Sequence, residues 1–222
     1  MQPAIAWGLV TACSLWNLAG WFAIARATRP SPRTQVQLEP VSVLKPLNGA
    51  DEDLYENLRS FFEQDLVELE LVFGVTDAND PALPIVARLQ REFPHVPCVT
   101  AIHEGGPALN PKVRNLLGML PHAKHDLVLI SDSNVRAPRH YLRELVALHA
   151  GKDVGMVTNL FAGTGERSLG AALENVQLNG FVAAGSALPT LSGDAAVIGK
   201  STLFSRAALE RLGGMSRLSC VL

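Results

Sequence analysis

At 222 residues the chain is long enough for one sizeable α/β domain with a buried core. Its 19 basic and 21 acidic side chains leave a net charge of −2, so no global field favours nucleic acid as a partner. Apolar residues make up 48% and mean hydropathy is +0.18, high for a purely soluble protein, while Cys13, Cys98 and Cys220 lie too far apart for a zinc site or a disulfide framework and fit a reducing compartment.

From Ala4 to Ala25 the chain carries no charge. About 22 residues at roughly 1.5 Å each give ~33 Å, enough to cross a hydrocarbon core. A cleaved signal peptide would need a basic segment before the apolar run, and Met1-Gln2-Pro3 has none. The basic residues follow instead, at Arg26, Arg29 and Arg33, with no acid before Glu39. That asymmetry predicts a single N-terminal anchor (residues 1–28) with the rest of the chain on the cytoplasmic side, against anionic lipid. Residues 29–40, stiffened by Pro30 and Pro32, read as a juxtamembrane linker.

From residue 41 strands and helices alternate. Val41–Lys45 reads as a strand, and a helix follows from Asp51 as cap, with Leu54, Leu58, Phe61 and Phe62 on one face. Glu70–Val75 is a second strand ending in the polar turn Thr76–Asp80, and Pro81 suits the first turn of a helix carrying Ile85, Val86, Leu89 and Phe93. Val96–Ile102 is a third strand. Asn110-Pro111 opens a helix with Val113, Leu116, Leu117 and Leu120. Leu127-Val-Leu-Ile130 suits a strand buried on both faces, stopping at Ser131-Asp132-Ser133-Asn134. Pro138 starts a helix with Leu142, Leu145 and Val146. This alternation predicts an α/β fold with a mostly parallel sheet and right-handed crossovers. Between Leu169 and Gly199 only Glu174 and Asp194 are charged, and the stretch reads either as a buried core helix with a loop or as a segment at a bilayer interface. Asp194–Gly199 and Ser201–Phe204 read as strand or edge structure, and a helix over 205–212 stops at Gly213-Gly214.

In open α/β sheets ligands bind outside the carboxyl ends of the strands. Asp77 and Asp80 follow the second strand there, and Asp132 the central one. Asp132 reads either as a cap for the following turn or as a carboxylate holding a divalent cation against a substrate phosphate. Asn110, Lys112, Arg114 and Asn115 open a helix, where the N-terminus and full positive charge favour a diphosphate, or form a solvated face. Neither a Walker-type nor a dinucleotide glycine motif is present, which disfavours an ordinary NTPase or Rossmann enzyme.

The strings Val43-Leu-Lys-Pro-Leu-Asn-Gly49, Asn57-Leu58 with Phe61-Phe62, Asp77-Ala-Asn-Asp-Pro81, Asn110-Pro-Lys-Val-Arg-Asn-Leu116, Asp132-Ser133, Gly199-Lys-Ser201 and Leu212-Gly-Gly214 resemble, in order, those of ceramide glucosyltransferases. The bacterial hopanoid-associated glycosyltransferases share the same opening. The resemblance implies a GT-A-type nucleotide-diphospho-sugar transferase domain over 41–222 and an inverting, membrane-anchored hexosyltransferase. It would move glucose from UDP-glucose to a lipid hydroxyl such as that of ceramide, with Mg²⁺ or Mn²⁺. By that pattern Lys45, Asp77, Asp80, Lys112, Asn115 and Asp132 bind the donor. Asp77 lies towards the base or ribose and Lys112 near the diphosphate. Asp132 takes the first metal position, and Asn134 stands where many such enzymes have a second aspartate.

The family's catalytic base is an aspartate shortly after the Gly-Gly helix end, followed by an Arg-Trp motif. It is expected beyond Leu222, so the chain reads as incomplete at its C-terminus and unable to turn over alone. Two other readings stand beside this one, the first from another class. A catalytically silent sugar-nucleotide-binding fragment fits the missing base, and a lipid N-acetylglucosaminyltransferase acting on a hopanoid fits the shared opening. A metal-dependent phosphohydrolase would need a carboxylate in the first strand-end loop, and Lys45-Pro46-Leu47-Asn48 offers none.

Overall fold

The structure, a computed structural model, describes residues 3–29, 37–65, 68–151, 154–215 and 217. Most of the expected linker, Cys220 and the residues around the expected C-terminal break lie outside that set. The chain divides into two units, one of residues 33–157 and 199–222, the other of residues 1–32 and 158–198.

The larger unit is built on a sheet of β1 (Val41–Pro46), β2 (Leu69–Val75), β3 (Cys98–Ile102), β4 (Leu127–Ser131), β5 (Met156–Thr158) and β6 (Ser201–Ser205), in the order β3-β2-β1-β4-β6-β5. The first four are mutually parallel, each crossover carried by a helix: α2 (Leu54–Phe62), α3 (Leu83–Glu92) and α4 (Pro111–Met119). A fifth helix, α5 (Tyr141–His149), follows β4. Val41 and Leu44 pair with Leu127 and Ile130, so chain order reverses between β1 and β4, and their carboxyl ends open side by side. β6 runs antiparallel to β4, with Ser201 opposite Ser131, so the start of β6 meets the end of β4.

Period-two alternation gives the sheet two apolar faces. Val41, Val43, Leu71, Phe73 and Leu129 pack under Leu58 and Phe61 of α2, Val86 and Leu89 of α3, and Leu142 and Val146 of α5. Leu44, Val72, Val128 and Phe204 pack on the other face against Leu116 and Met119 of α4. At ~1.5–3 kcal/mol for each large side chain buried, these two layers are what holds the sheet's strand ends in place. The helix α4 approaches closely because Gly74 is the last residue but one of β2: a Cβ there would lie 2.3 Å from Met119 Cγ and 2.5 Å from Asn115 Oδ1.

Several boundaries differ from the sequence reading. Asp51 does not cap α2; its carbonyl accepts the N–H of Leu54 in a preceding turn, at 3.0 Å. Pro81 and Pro138 lie in the turns before their helices, and it is Pro84 that occupies the first turn of α3. Residues 194–200 form no strand, and β6 is covered on both edges because β5 lies outside it. The final helix is α8 below, one residue shorter at each end than expected and capped by Ser205.

The smaller unit pairs α1 (Pro3–Ala27) with a helical segment over 169–191: α6 (Leu169–Gln177), a π turn (Leu178–Val182), α7 (Ala183–Ala187) and a 3-10 turn (Leu188–Leu191). The last element, α8 (Arg206–Arg211), belongs to the larger unit and ends at Gly213 and Gly214, both with φ in the left-handed region (96° and 77°). By length and composition α1 could cross a membrane. The segment 169–191 is not the buried core helix that one reading allowed, since its large apolar side chains are mostly exposed.

Candidate functional site

The carboxyl ends of β1 and β4 gather the residues with chemistry to offer. Asp132 directly follows β4, and its N–H donates to the carbonyl of Lys200 at 3.0 Å, an extension of the β4–β6 ladder. Its carboxylate pairs with the ammonium of Lys112 and lies 3.6 Å from that of Lys200. Lys112 reaches it from the first turn of α4. There Asn110, the N-cap, accepts through Oδ1 from the N–H groups of Lys112 (2.9 Å) and Val113 (3.4 Å), and Lys112 Nζ also donates to the carbonyl of Gly199 at 2.6 Å. Lys200 Nζ donates to Asn134 Oδ1 at 3.4 Å.

Beneath this turn lies Lys45, whose side chain has 0% of its surface exposed. Odd numbering along β1 turns it to the α2 face, where its ammonium rests 3.6 Å from the centre of the Phe61 ring. Nζ donates to Ser131 Oγ (3.1 Å) and to the carbonyls of Asp132 (2.8 Å) and Val135 (3.4 Å). Burial pushes its pKa well below the ordinary 10.5, and the nearby Asp132 carboxylate pulls it back up. Lys45 therefore has no surface to present to a donor. It corrects the expectation of direct contact: it fixes the turn that carries Asp132.

Asp80 and Asn115 are likewise engaged within the protein. The buried Asp80 carboxylate accepts from the N–H groups of Gly49 (3.0 and 3.2 Å) and Ala82 (2.8 Å). Asn115 Nδ2 donates to the carbonyls of Leu47 (3.2 Å) and Gly74 (2.9 Å). From two sides they pin the loop after β1, where Gly49 has φ 79°. Asp77 is exposed, and its Oδ1 accepts from the N–H of Asn79 at 2.8 Å.

The structure thus brings Lys112, Asp132 and Asn134 together over Lys45, sets Asp80 and Asn115 behind the neighbouring loop, and leaves Asp77 outward. Lys200 completes the cluster, and its one signal in the sequence is the Gly199-Lys-Ser201 string. No group of three or more His, Cys, Asp or Glu able to hold a metal occurs among the described residues. One carboxylate and one amide oxygen on a single turn match a cation that takes its remaining ligands from phosphate and water, the habit of Mg²⁺. Both oxygens face lysine ammonium groups here, so a cation could enter only if those lysines turned to other anions.

The sequence profile of glycosyl transferase family 21 matches residues 3–222. Ceramide glucosyltransferase 1 of Caenorhabditis elegans is 30% identical over 182 residues, covering 81% of this chain and 39% of that protein. Ceramide glucosyltransferase of Komagataella phaffii is 34% identical over 140 residues, covering 60% and 26%. The chain thus spans about two fifths or less of the length of these curated relatives. Among solved structures, mannosyltransferase PcManGT of Pyrobaculum calidifontis, in complex with GDP-Man and Mn²⁺, superposes with a TM-score of 0.58 at 22% identity, covering 92% of this chain and 57% of that one. Glucosyl-3-phosphoglycerate synthase of Mycobacterium tuberculosis, with Mn²⁺, UDP and phosphoglyceric acid, gives 0.50 at 18% identity, covering 77% and 57%. The fold is that of the GT-A glycosyltransferases.

Proposed function

Because the chain belongs to glycosyl transferase family 21, we propose that the β1–β4 crevice binds a nucleoside diphosphate sugar, UDP-glucose, and that the whole protein transfers the hexose to a lipid hydroxyl such as that of ceramide, with inversion. The observation that carries this reading is the Asp132 carboxylate between Lys112 and Lys200 at the point where strand order reverses. In transfer, the bond from the sugar's anomeric carbon to the diphosphate breaks as a bond to the lipid oxygen forms, the hydroxyl proton passing to a general base. Negative charge grows on the departing diphosphate.

Lys112 and Lys200 are suited to offset that charge. Their pairing with Asp132 keeps both ammonium groups beside the strand ends before a donor arrives, and they turn from Asp132 to the diphosphate as the donor and its cation bind. A Mg²⁺ or Mn²⁺ ion held by Asp132 and Asn134 would add positive charge at the same diphosphate. The exposed Asp77 is free on its outer side to accept from a base or ribose. We assign the general base to none of the described carboxylates. The helix α1 anchors the protein, and Arg26, Arg29 and Arg33 keep the sheet unit on the cytoplasmic side.

The test is to incubate the whole protein in ceramide-containing vesicles with radiolabelled UDP-glucose and Mn²⁺ and to extract the lipid. Labelled glycolipid supports the reading. Donor binding without labelled lipid from any acceptor would reduce it to a donor-binding module, and label transferred only from UDP-N-acetylglucosamine would change the sugar.

A further inference from the structure

The smaller unit carries a second apolar surface that the donor site does not use. Leu169, Leu173 and Val176 recur at the spacing of one helix face, and they are 77%, 63% and 71% exposed. The next position in that register would be 180. The π turn over Leu178–Val182 adds one residue to the winding, which carries Phe181, 67% exposed, into the same line. Glu174 is the only charge between residues 169 and 191.

Several polar side chains of this segment are hydrogen-bonded within its own chain. Asn179 accepts from the N–H of Gly163 (2.7 Å) and donates to its carbonyl (2.9 Å), while Asn175 donates to Glu166 at 2.7 Å. Ser186 and Thr190 turn their hydroxyls onto the carbonyls of Val182 (2.8 Å) and Ala187 (2.6 Å) of the same segment. Polar groups satisfied within the segment are what an environment without water requires.

A third side docks on α1. The buried residues there are all small: Gly20 and Ala23 on α1, Ala184 and Ala187 on α7. A Cβ on Gly20 would lie 2.7 Å from that of Ala184. Small residues of this kind let helices approach where lipid, and not water, surrounds them. Most of the rest of α1, Trp21 and Phe22 included, is exposed, and the stripe on 169–181 lies on the same helical segment that packs through α7 against this helix, itself long enough to cross a bilayer.

We propose that residues 169–191 form a second membrane-contacting element, whose stripe of Leu169, Leu173, Val176 and Phe181 is covered by lipid. The occupant follows from that packing: an exposed apolar stripe on a segment docked against a membrane helix meets the same lipid. The proposal rests on the reading of α1 as a membrane helix, and the two can be tested separately because all three tryptophans, Trp7, Trp16 and Trp21, lie on α1.

The full chain carrying C13S, C98A and C220S would be reconstituted in vesicles of phosphatidylcholine with and without bromine-substituted acyl chains. Tryptophan emission reports α1. A bimane attached at L173C or V176C reports the stripe, and one at E174C reports the opposite side. The expected result is loss of most tryptophan emission and of most bimane emission at 173 and 176, with little loss at 174. Quenched tryptophan with unquenched bimane at 173 and 176 overturns the proposal and leaves the α1 reading standing. Unquenched tryptophan overturns both. Equal quenching at 173, 174 and 176 overturns the one-sided stripe, and disulfide-linked dimers of unlabelled V176C, together with unquenched bimane at L173C in the singly substituted protein, would assign the stripe to a second copy instead.

Discussion

A lysine ammonium with no exposed surface must find its hydrogen bonds inside the protein, and Lys45 finds three at the turn that carries Asp132. The substitution K45M keeps the length and removes the donor, leaving buried carbonyls unpaired at about 1–3 kcal/mol each. Urea unfolding of K45M should show a loss of that order, and at temperatures where it stays folded its affinity for UDP–Mn²⁺ should fall. A variant as stable as the parent with unchanged affinity would remove Lys45 from its positioning role. Asp80 has a comparable task, and D80A should destabilise the sheet unit by about 1–3 kcal/mol by stranding the amides of Gly49 and Ala82. Neither role is legible in the sequence. An Asp or Lys at a strand end looks like a ligand until its burial is known, and burial is a tertiary property.

His103 gives the residue scale its pH dependence. Burial is the main cause that pushes its pKa below the usual 6.5; Asn115 raises it and His122 lowers it further. The unfolded chain therefore takes up the proton at a higher pH than the folded one. Stability is fully present above about pH 6.5 and declines as pH falls from there towards the depressed folded value. The variant H103Q should flatten the urea midpoint across that window, and a midpoint that keeps its slope would assign the dependence elsewhere.

Among the elements, the four parallel strands and their crossover helices are readable as apolar runs separated by turns, and the start of α4 is readable as Asn110 for the cap and Pro111 for the first helical residue. The three-residue β5 is not, because so short a run carries no period. Nor is the direction of β6, which depends on where the chain returns and not on its composition. That direction is what sets Lys200 beside Asp132. Helix contacts in the smaller unit make a sign-determining test. Alanine favours a helix over glycine by about 1 kcal/mol, yet G20A would drive a methyl group into Ala184. In detergent micelles G20A should lower the melting temperature followed by far-UV circular dichroism; a rise would mean that α1 and α7 are not packed.

At the scale of the whole molecule, the α/β class and the transferase family could both be read from ordered motifs, since those strings mark strand ends and helix starts that the fold needs anyway. What could not be read is the grouping of 158–198 with α1, because small residues that allow close helix packing look the same in sequence as small residues in a loop. The proposed donor site in the larger unit depends on a simple arrangement: strand order reverses beside β4, and the aspartate at its tip pairs with two lysines suited to a diphosphate. Calorimetric titration of UDP with Mn²⁺ into the parent and into D132A tests it most directly. The parent should bind only when the cation is present and D132A should lose at least about tenfold in affinity, a cost of ~1.4 kcal/mol, whereas a D132A titration indistinguishable from the parent's would contradict the assignment of this turn as the donor site.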